Sequence, residues 1–420
     1  MNQILTTEAS IPLGCSNTSQ NFVRASTKRR WRLAILLTHP IQYFAPLFAQ
    51  LAQQPEFDLT VLYCSLQGAQ AERDPGFGIS IAWDRPVLEG YRYKVVRNYW
   101  RWGLGRFFSY VNPGIIRELR AGAYDAVIVF GWGHLSAWLA FAAARLVRTP
   151  WILYGDSVSI FDQENGWLKR KLKRAILRPL FRSTSAFLVM GKLNQEFYDS
   201  YGVPREKCFR MPYPVDNAFF VRAAEKARAH RAEVRARYGI PVDAVVVVFV
   251  GKLIPRKRPH DVLEVVRRLQ PTLPYLGALL VGDGKLRASL EAEIAQKGLR
   301  NAFLFGFKNQ TELPAVYAIS DIFVLPSAVD KWGLVANEAM ACGLPVVVSD
   351  RAGVSGDLVM HGENGFVYPA GDVASLERLV RALALNSELR RQMGKRSSEI
   401  IRTYGYEQCI EGIAEALKSL

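Results

Sequence analysis

The strongest constraint on this chain is a recurring alternation. A short, continuous apolar run is followed by a stretch with helical spacing, and then by another apolar run. "WRLAILLTHP" leads to "IQYFAPLFAQLAQQ" and then to "FDLTVLYCS". "YDAVIVFG", "PWILYG" and "AFLVMG" continue the series, separated by "LSAWLAFAAARLV" and by a basic helical segment over about 166–180. Short apolar runs of this kind read as strands buried on both faces, and parallel sheets with helical crossovers produce such strands. The pattern predicts a parallel α/β architecture.

The alternation breaks once. "FRMPYPVDNAFF" at 209–220 is proline-rich and aperiodic, and it reads as a linker. The series then restarts with "AVVVVFVG", "LGALLVGDG", "NAFLFGF", "DIFVLPS" and "PVVVSD", each followed or preceded by a helical stretch. The 420 residues thus divide into a polar, poorly ordered extension at 1–29, a first Rossmann-like domain at 30–210 and a linker at 211–220. A second Rossmann-like domain follows at 221–400, and a helix at 401–420 is expected to pack back on the first domain. The fold class expected is two doubly wound α/β domains facing a cleft. Ligands of such sheets lie beyond the carboxyl ends of the strands, so the cleft is the expected site.

Hydrophobic residues make up 50% of the chain and charged residues 22%, ordinary for a soluble globular protein. The net charge is +16, concentrated in the first half. That asymmetry points to an anionic partner there: a membrane surface, nucleic acid or a phosphorylated acceptor. Five scattered cysteines with no CxxC fit a reduced, cytoplasmic protein. No apolar run approaches the roughly 18 residues of a membrane span. The first residues lack a basic region followed by an apolar one, so no secretory signal is expected. "IPLGCS" at 11–16 has the look of a lipoprotein cleavage site but lacks that apolar region.

Four loops of the second half follow strand ends and could converge. "GKLIPRKRP" brings Lys252, Arg256, Lys257 and Arg258, cations able to clamp a diphosphate or simply to face solvent. "GDGK" at 282–285 reads equally as a tight turn. "FGFKNQTEL" offers backbone at Gly306-Phe307 to a base edge. The most specific stretch is "VDKWGLVANEAMACGLPVVVSD" at 329–350. Asp330 lies in a loop, Gly333 opens a helix, and Glu338 sits about one turn into it. A helix start presents backbone N–H groups to an anion, and a nearby carboxylate suits sugar hydroxyls. The stretch suggests a ligand with a phosphate at one end and a polyol at the other.

These residues resemble the family 4 glycosyltransferases, retaining enzymes of the GT-B fold. The family's Glu-x7-Glu pattern appears as Asp330-x7-Glu338, its aromatic-Gly as Trp332-Gly333, and its "EAMA-x-G-x-P-V" as "EAMACGLPV". Its "GRL-x3-KG" appears as Gly251-Lys252-Leu253 with Lys257 and Arg258, and "HGENGFVYPAGD" at 361–372 fits a further loop of the family. The resemblance covers most of 205–415 and is looser over the first domain. There "HPIQYFAPLFAQLA" and "LEGYRY" are similar to a bacterial polysaccharide-associated branch.

The resemblance implies that Glu338 binds nucleotide ribose hydroxyls and that Asp330 contacts the donor sugar. Lys252 and Lys257 would neutralise the diphosphate, with Gly251 in the same loop. Gly333, Leu334 and Val335 would offer N–H groups to the phosphates, and Gly306 and Phe307 would border the base. It implies no cofactor beyond a UDP- or GDP-sugar co-substrate, and no metal. Asp330 replaces the family's Glu, Lys252 replaces its Arg, and the family's His-x-His falls on Ile128 and Phe130. His134, just beyond, is the candidate for the catalytic first-domain role. His39 and Asp156, at other strand ends, are candidate substrate contacts.

"GWLKRKLKRAILRPLFR" at 166–182 carries seven Lys/Arg and no acid. Trp167, Leu168, Leu172, Ala175, Ile176, Leu180 and Phe181 could form an apolar stripe on it. Such a helix either lies on an anionic membrane or packs with a solvated basic face. Tyr99, Trp100, Trp102, Phe107, Phe108 and Tyr110 either line an acceptor site or pack under a long loop. Two rival classes are a nucleotide-sugar epimerase, which needs no acceptor, and a basic nucleic-acid-binding protein. The acidic pair argues against the first, and the lack of a nucleic-acid module argues against the second. The expected activity is transfer of a hexose to a saccharide or lipid-linked saccharide acceptor in polysaccharide biosynthesis, peripheral to the inner face of the cell membrane, with no nucleic acid involved.

Overall fold

The computed structural model describes residues 30–74, 76–99, 106–160 and 166–420. The extension expected at 1–29, together with Trp100 and Trp102, lies outside them. The first half places strands β1 (Trp31–Leu37), β2 (Phe57–Tyr63), β3 (Glu72–Arg73), β4 (Ser80–Ile81), β5 (Tyr93–Val95), β6 (Ala126–Phe130), β7 (Trp151–Tyr154), β8 (Ala186–Val189) and β9 (Cys208–Arg210). Its helices are α1 (Ala45–Gln53), α2 (Gly114–Gly122), α3 (Leu135–Leu146), α4 (Trp167–Ser183) and α5 (Lys192–Ser200). Seven of these strands form one parallel sheet in the order β5-β2-β1-β6-β7-β8-β9. The pair β3–β4 is an antiparallel hairpin outside that sheet.

The second half begins with helices α6 (Asn217–Arg228) and α7 (Arg231–Arg237). Strands β10 (Val245–Val250), β11 (Leu276–Val281), β12 (Ala302–Gly306), β13 (Ile322–Leu325), β14 (Val346–Ser349) and β15 (Gly365–Tyr368) form a second parallel sheet, in the order β12-β11-β10-β13-β14-β15. Around it lie α8 (Pro259–Leu269), α9 (Arg287–Gln296), α10 (Leu313–Ala318), α11 (Leu334–Ala341), α12 (Val373–Leu385), α13 (Ser387–Ile401) and α14 (Tyr406–Lys418).

The apolar runs become strands because both faces are covered. All six residues of β10 are buried, and fully burying a Val or Phe side chain stabilises by about 1.5–3 kcal/mol. Helix α8 covers one face with Val262, Leu263, Val266 and Leu269 and keeps Arg267 and Arg268 outside. Helices α6, α10 and α11 cover the other, through Phe220, Tyr317, Ala336 and Met340.

The linker is shorter than the 211–220 expected. Asn217 already starts α6, and the Asp216 side chain accepts from the Phe219 N–H as its cap. The last helix, α14, packs on the first sheet. Tyr406, Cys409, Ile413, Ala416 and Leu417 share a buried cluster with Leu33, Ile35 and Ile152. The chain thus crosses between domains twice. The apolar stripe expected on 166–182 is divided: Leu180 and Phe181, with Leu177, are buried, while Trp167, Leu168, Leu172 and Ile176 are exposed. Among the described residues no helix is long and apolar enough to cross a membrane.

Candidate active site

Each sheet reverses its strand order beside its first strand, between β1 and β6 and between β10 and β13. Crossover helices leave on opposite faces there, so the following loops part and leave a crevice. His39 follows β1 and His134 follows β6. Gly251-Lys252 follows β10, and Asp330 to Gly333 follow β13. Contacts across the cleft bring these ends face to face. Lys331 Nζ lies 2.6 Å from Asp156 Oδ2, and the Lys192 N–H donates to Asp357 Oδ2 at 2.6 Å.

Two strand-end loops are locked together by backbone. The Gly251 N–H donates to the Val281 carbonyl at 2.9 Å and the Leu253 N–H to the Asp283 carbonyl at 2.8 Å. A Cβ on Gly282 would sit 1.9 Å from the Gly251 oxygen, so only glycine permits this approach. The Gly-Asp-Gly motif therefore holds the loop that presents Lys252. That lysine pairs with Asp74 of the first domain at 2.8 Å. Lys257, in the same loop, pairs with Asp330, and both side chains are largely buried. Arg256, between them, accepts at its backbone carbonyl from the Ala328 N–H at 2.8 Å, tying the loop to the segment before Asp330.

Gly333 adopts φ 103° as the N-cap of α11, a left-handed conformation that favours glycine. The first N–H groups of a helix lack intrahelical acceptors, so Leu334 and Val335 present donors at its positive end. Glu338 lies one turn further on, 6% exposed, and its carboxylate accepts from the Tyr317 hydroxyl at 2.7 Å. Burial pushes its pKa up from 4.5 to about 7, and the Tyr317 bond offsets this only in part. Trp332 is buried, donates from Nε1 to Asn337 Oδ1 at 2.9 Å and stacks on Tyr213 of the linker. The aromatic half of Trp-Gly thus anchors the domain junction.

Gly306 ends β12 at φ 67°, and its carbonyl accepts from the Gly282 N–H at 2.8 Å. Phe307 meets Phe77 of the first domain edge to face, with ring centroids 5.1 Å apart. His134 is the N-cap of α3, its Nδ1 accepting from the Ala137 N–H at 3.2 Å. Burial lowers its pKa to about 4, and its Nε2 makes no well-formed hydrogen bond among the described residues. His39 contacts Thr38 Oγ1 through Nδ1 at 2.8 Å, and burial lowers its pKa.

Of the residues singled out from sequence, Asp330, Gly333, Leu334, Val335 and Glu338 lie along one loop–helix unit, which Lys257 reaches from the β10 loop through its pair with Asp330. Gly251, Lys252, Gly306 and Phe307 occupy the adjoining strand ends, and His39, His134 and Asp156 belong to the facing domain. Among the described residues neither histidine hydrogen-bonds to the second domain. Sequence reasoning missed four partners: Asp74, Phe77, Tyr317 and Lys331. The "DPGF" at 74–77 signals a turn, but nothing local signals what it touches. Among the described residues no group of three or more His, Cys, Asp or Glu is placed to hold a metal ion.

Two family models match the chain. Residues 230–399 match glycosyl transferases group 1, and residues 40–214 match a glycosyl transferase 4-like domain. Among curated relatives, an alpha-D-kanosaminyltransferase of Streptomyces kanamyceticus is 26% identical over 271 residues, 63% of this chain and 69% of the relative. A sulfoquinovosyl transferase of Arabidopsis thaliana is 32% identical over 310 residues, 70% of this chain and 57% of the relative. A GDP-mannose-dependent mannosyltransferase of Mycolicibacterium smegmatis is 27% identical over 245 residues, 56% of this chain and 62% of the relative. The chain therefore spans about half to two thirds of the length of the curated relatives it matches. The Anabaena protein HepE, crystallised with UDP, superposes with a TM-score of 0.71 at 18% identity, covering 93% of this chain and all of that one. WaaG, a glycosyltransferase involved in lipopolysaccharide biosynthesis, gives 0.65 at 19% identity, covering 91% and 98%. The two facing parallel-sheet domains are those of the GT-B fold.

Proposed function

The chain belongs to the glycosyl transferases of group 1, and on that premise we propose that it is a retaining glycosyltransferase. It moves a sugar from a UDP- or GDP-sugar to a saccharide or lipid-linked saccharide acceptor in polysaccharide biosynthesis. The observation that carries this reading is the β10/β13 switch point. Two lysines lie in the loop after β10, and the start of α11 and the buried Glu338 carboxyl follow β13, with Lys257 paired to Asp330 between them.

The chemistry follows from where charge develops. Cleaving the bond from the anomeric carbon to the diphosphate oxygen leaves negative charge on the diphosphate and positive charge on the sugar. Lys252, Lys257 and the N–H groups of Gly333, Leu334 and Val335 stabilise that leaving group, so the step needs no metal ion. The acceptor hydroxyl attacks from the face the diphosphate leaves. Its proton passes to a departing phosphate oxygen, and configuration is retained without a covalent nucleophile. Glu338 accepts from ribose hydroxyls and Asp330 from a sugar hydroxyl. His134 is neutral at pH 7. With Nδ1 engaged by the Ala137 N–H, its proton is assigned to Nε2, a donor suited to a sugar hydroxyl. His39 and Asp156 contribute further contacts on the acceptor side.

Helix α4 supports docking at the cytoplasmic face of an anionic membrane. Trp167 (69% exposed), Leu168, Leu172 and Ile176 stand out from the surface, and Trp167 shares a groove with Arg170, Lys171, Arg174 and Arg178. The activity is tested by nucleotide release from a panel of UDP- and GDP-sugars with total membrane lipid or oligosaccharide as acceptor, with and without EDTA. Release that survives EDTA and needs an acceptor supports the reading. Conversion of the sugar without acceptor favours an epimerase instead.

A further inference from the structure

The hairpin β3–β4 belongs to the first domain, yet its tip reaches into the loops that present Lys252 and Phe307. Asp74 leads the turn. Its Oδ1 accepts from the N–H groups of Gly76 (2.7 Å) and Phe77 (2.9 Å), which fixes the carboxylate without help from the second domain. Both carboxylate oxygens then meet Lys252 Nζ, at 2.8 and 2.9 Å. The same ammonium lies 4.7 Å from the centre of the Phe77 ring. A Cβ on Gly76 would sit 2.7 Å from Lys252 Cδ and Nζ, so a larger residue there would make the lysine side chain shift from its present position. Phe77 in turn presents its ring to Phe307. Behind the tip the hairpin is fastened to the second domain. Asn309 donates to the Ala82 carbonyl at 2.6 Å, and the Thr311 N–H to Asp84 Oδ2 at 2.9 Å.

The turn thus sets an anion on the lysine assigned to the diphosphate and an aromatic ring beside the residue assigned to the base. We propose that the β3–β4 hairpin, through Asp74 and Phe77, is a built-in mimic of the donor nucleotide, which closes the donor site in the free protein and is displaced when a nucleoside diphosphate binds. The inference rests on the donor-site reading of Lys252 and Phe307. A cavity of about 670 Å³ between Gly76–Ile79 and the loops 254–256 and 283–285 gives the displaced turn room to move. The Asp74–Lys252 pair is about one-third exposed on each side, so it holds the site with modest strength and yields to a ligand carrying two phosphates.

The test is calorimetric titration of the full chain with UDP and with GDP, on wild type, Asp74→Asn and Phe77→Ala. Asn keeps the turn's hydrogen bonds and removes the charge. The expected result is that Asp74→Asn binds the accepted nucleotide about threefold to tenfold more tightly, and that Phe77→Ala also binds more tightly. In wild type, saturating nucleotide should speed hydrogen exchange at the Phe77 and Gly78 amides, which are bonded to Asp74 in the closed turn. Equal or weaker binding by Asp74→Asn, with those amides slowed by nucleotide, overturns the mimic and makes the hairpin a lid over bound donor, while the donor site stands. No binding of either nucleotide by any of the three proteins overturns the donor-site reading itself, and the mimic with it.

Discussion

Glu338 should be a liability to the free protein above neutral pH, and Glu338→Gln should relieve it. The carboxyl is 6% exposed, and its partner is the neutral Tyr317 hydroxyl, itself fully buried. In the unfolded chain it titrates near 4.5, whereas burial pushes it to about 7 in the fold. The folded state therefore holds the proton more tightly, and this group's contribution to stability is complete below pH 4.5. Between 4.5 and 7 the unfolded chain releases the proton while the fold retains it, so stability falls. Above 7 both states are ionised and the loss is constant, at about 3 kcal/mol for a gap of this size. Glutamine has the same shape, accepts the same Tyr317 hydrogen bond and does not titrate. Its advantage over wild type should therefore grow by up to about 3 kcal/mol from pH 4.5 to pH 8. At about 2–4 °C per kcal/mol for a domain of 150–250 residues, thermal melts should gain roughly 6–12 °C more at pH 8 than at pH 4.5. An advantage independent of pH, or a lower Tm than wild type at pH 8, would refute the reasoning, because it would place a compensating charge or water at the carboxyl. The same variant should bind nucleotide more weakly, a trade of stability against function common at active sites.

Lys257→Ala should lower kcat/KM by about 10²–10³, the usual scale for removing one preorganised charge at a leaving group, with the loss read by steady-state nucleotide release. Arg235→Ala should destabilise the second domain by about 3–5 kcal/mol in urea melts. Its guanidinium is buried, donates to the carbonyls of Ile319, Val242 and Ala244, and pairs with Asp321 at 2.8 Å. Leu168→Gln with Leu172→Gln should abolish co-sedimentation with phosphatidylglycerol vesicles and leave nucleotide affinity unchanged, since both side chains face solvent on α4. Retained vesicle binding would remove the role given to that helix.

The buried strands were legible because parallel sheets make their strands continuous apolar runs, as "VVVVFV" and "VIVF" show. Short edge strands such as β9 and β15 were not, because few residues and mixed burial leave no run to see. Helix α6 was hidden behind the prolines at 212 and 214, although Asp216 carries its cap. Helix α13 is polar along most of its length, and its Gly394 reads as a breaker. In the fold that glycine packs against the Gly343 carbonyl, where a Cβ would come within 2.3 Å. At the site, strand-end position and local motif were enough to single out Lys257, Asp330, Gly333 and Glu338. Their partners were not legible. Asp74 reaches Lys252 across 178 residues, and Lys331 reaches Asp156 across 175. Such pairings are set by how two domains dock, and local spacing holds no trace of them.

The most direct test of the central claim is a thermal-shift panel of nucleoside diphosphates and nucleotide sugars, without metal, on wild type and Glu338→Ala. Binding to the folded state raises Tm by an amount set by concentration over Kd. One base in the UDP or GDP series should stabilise wild type and leave Glu338→Ala unmoved, placing the donor at the start of α11. Stabilisation of neither protein by any member, or equal stabilisation of both, would contradict a donor site at Glu338.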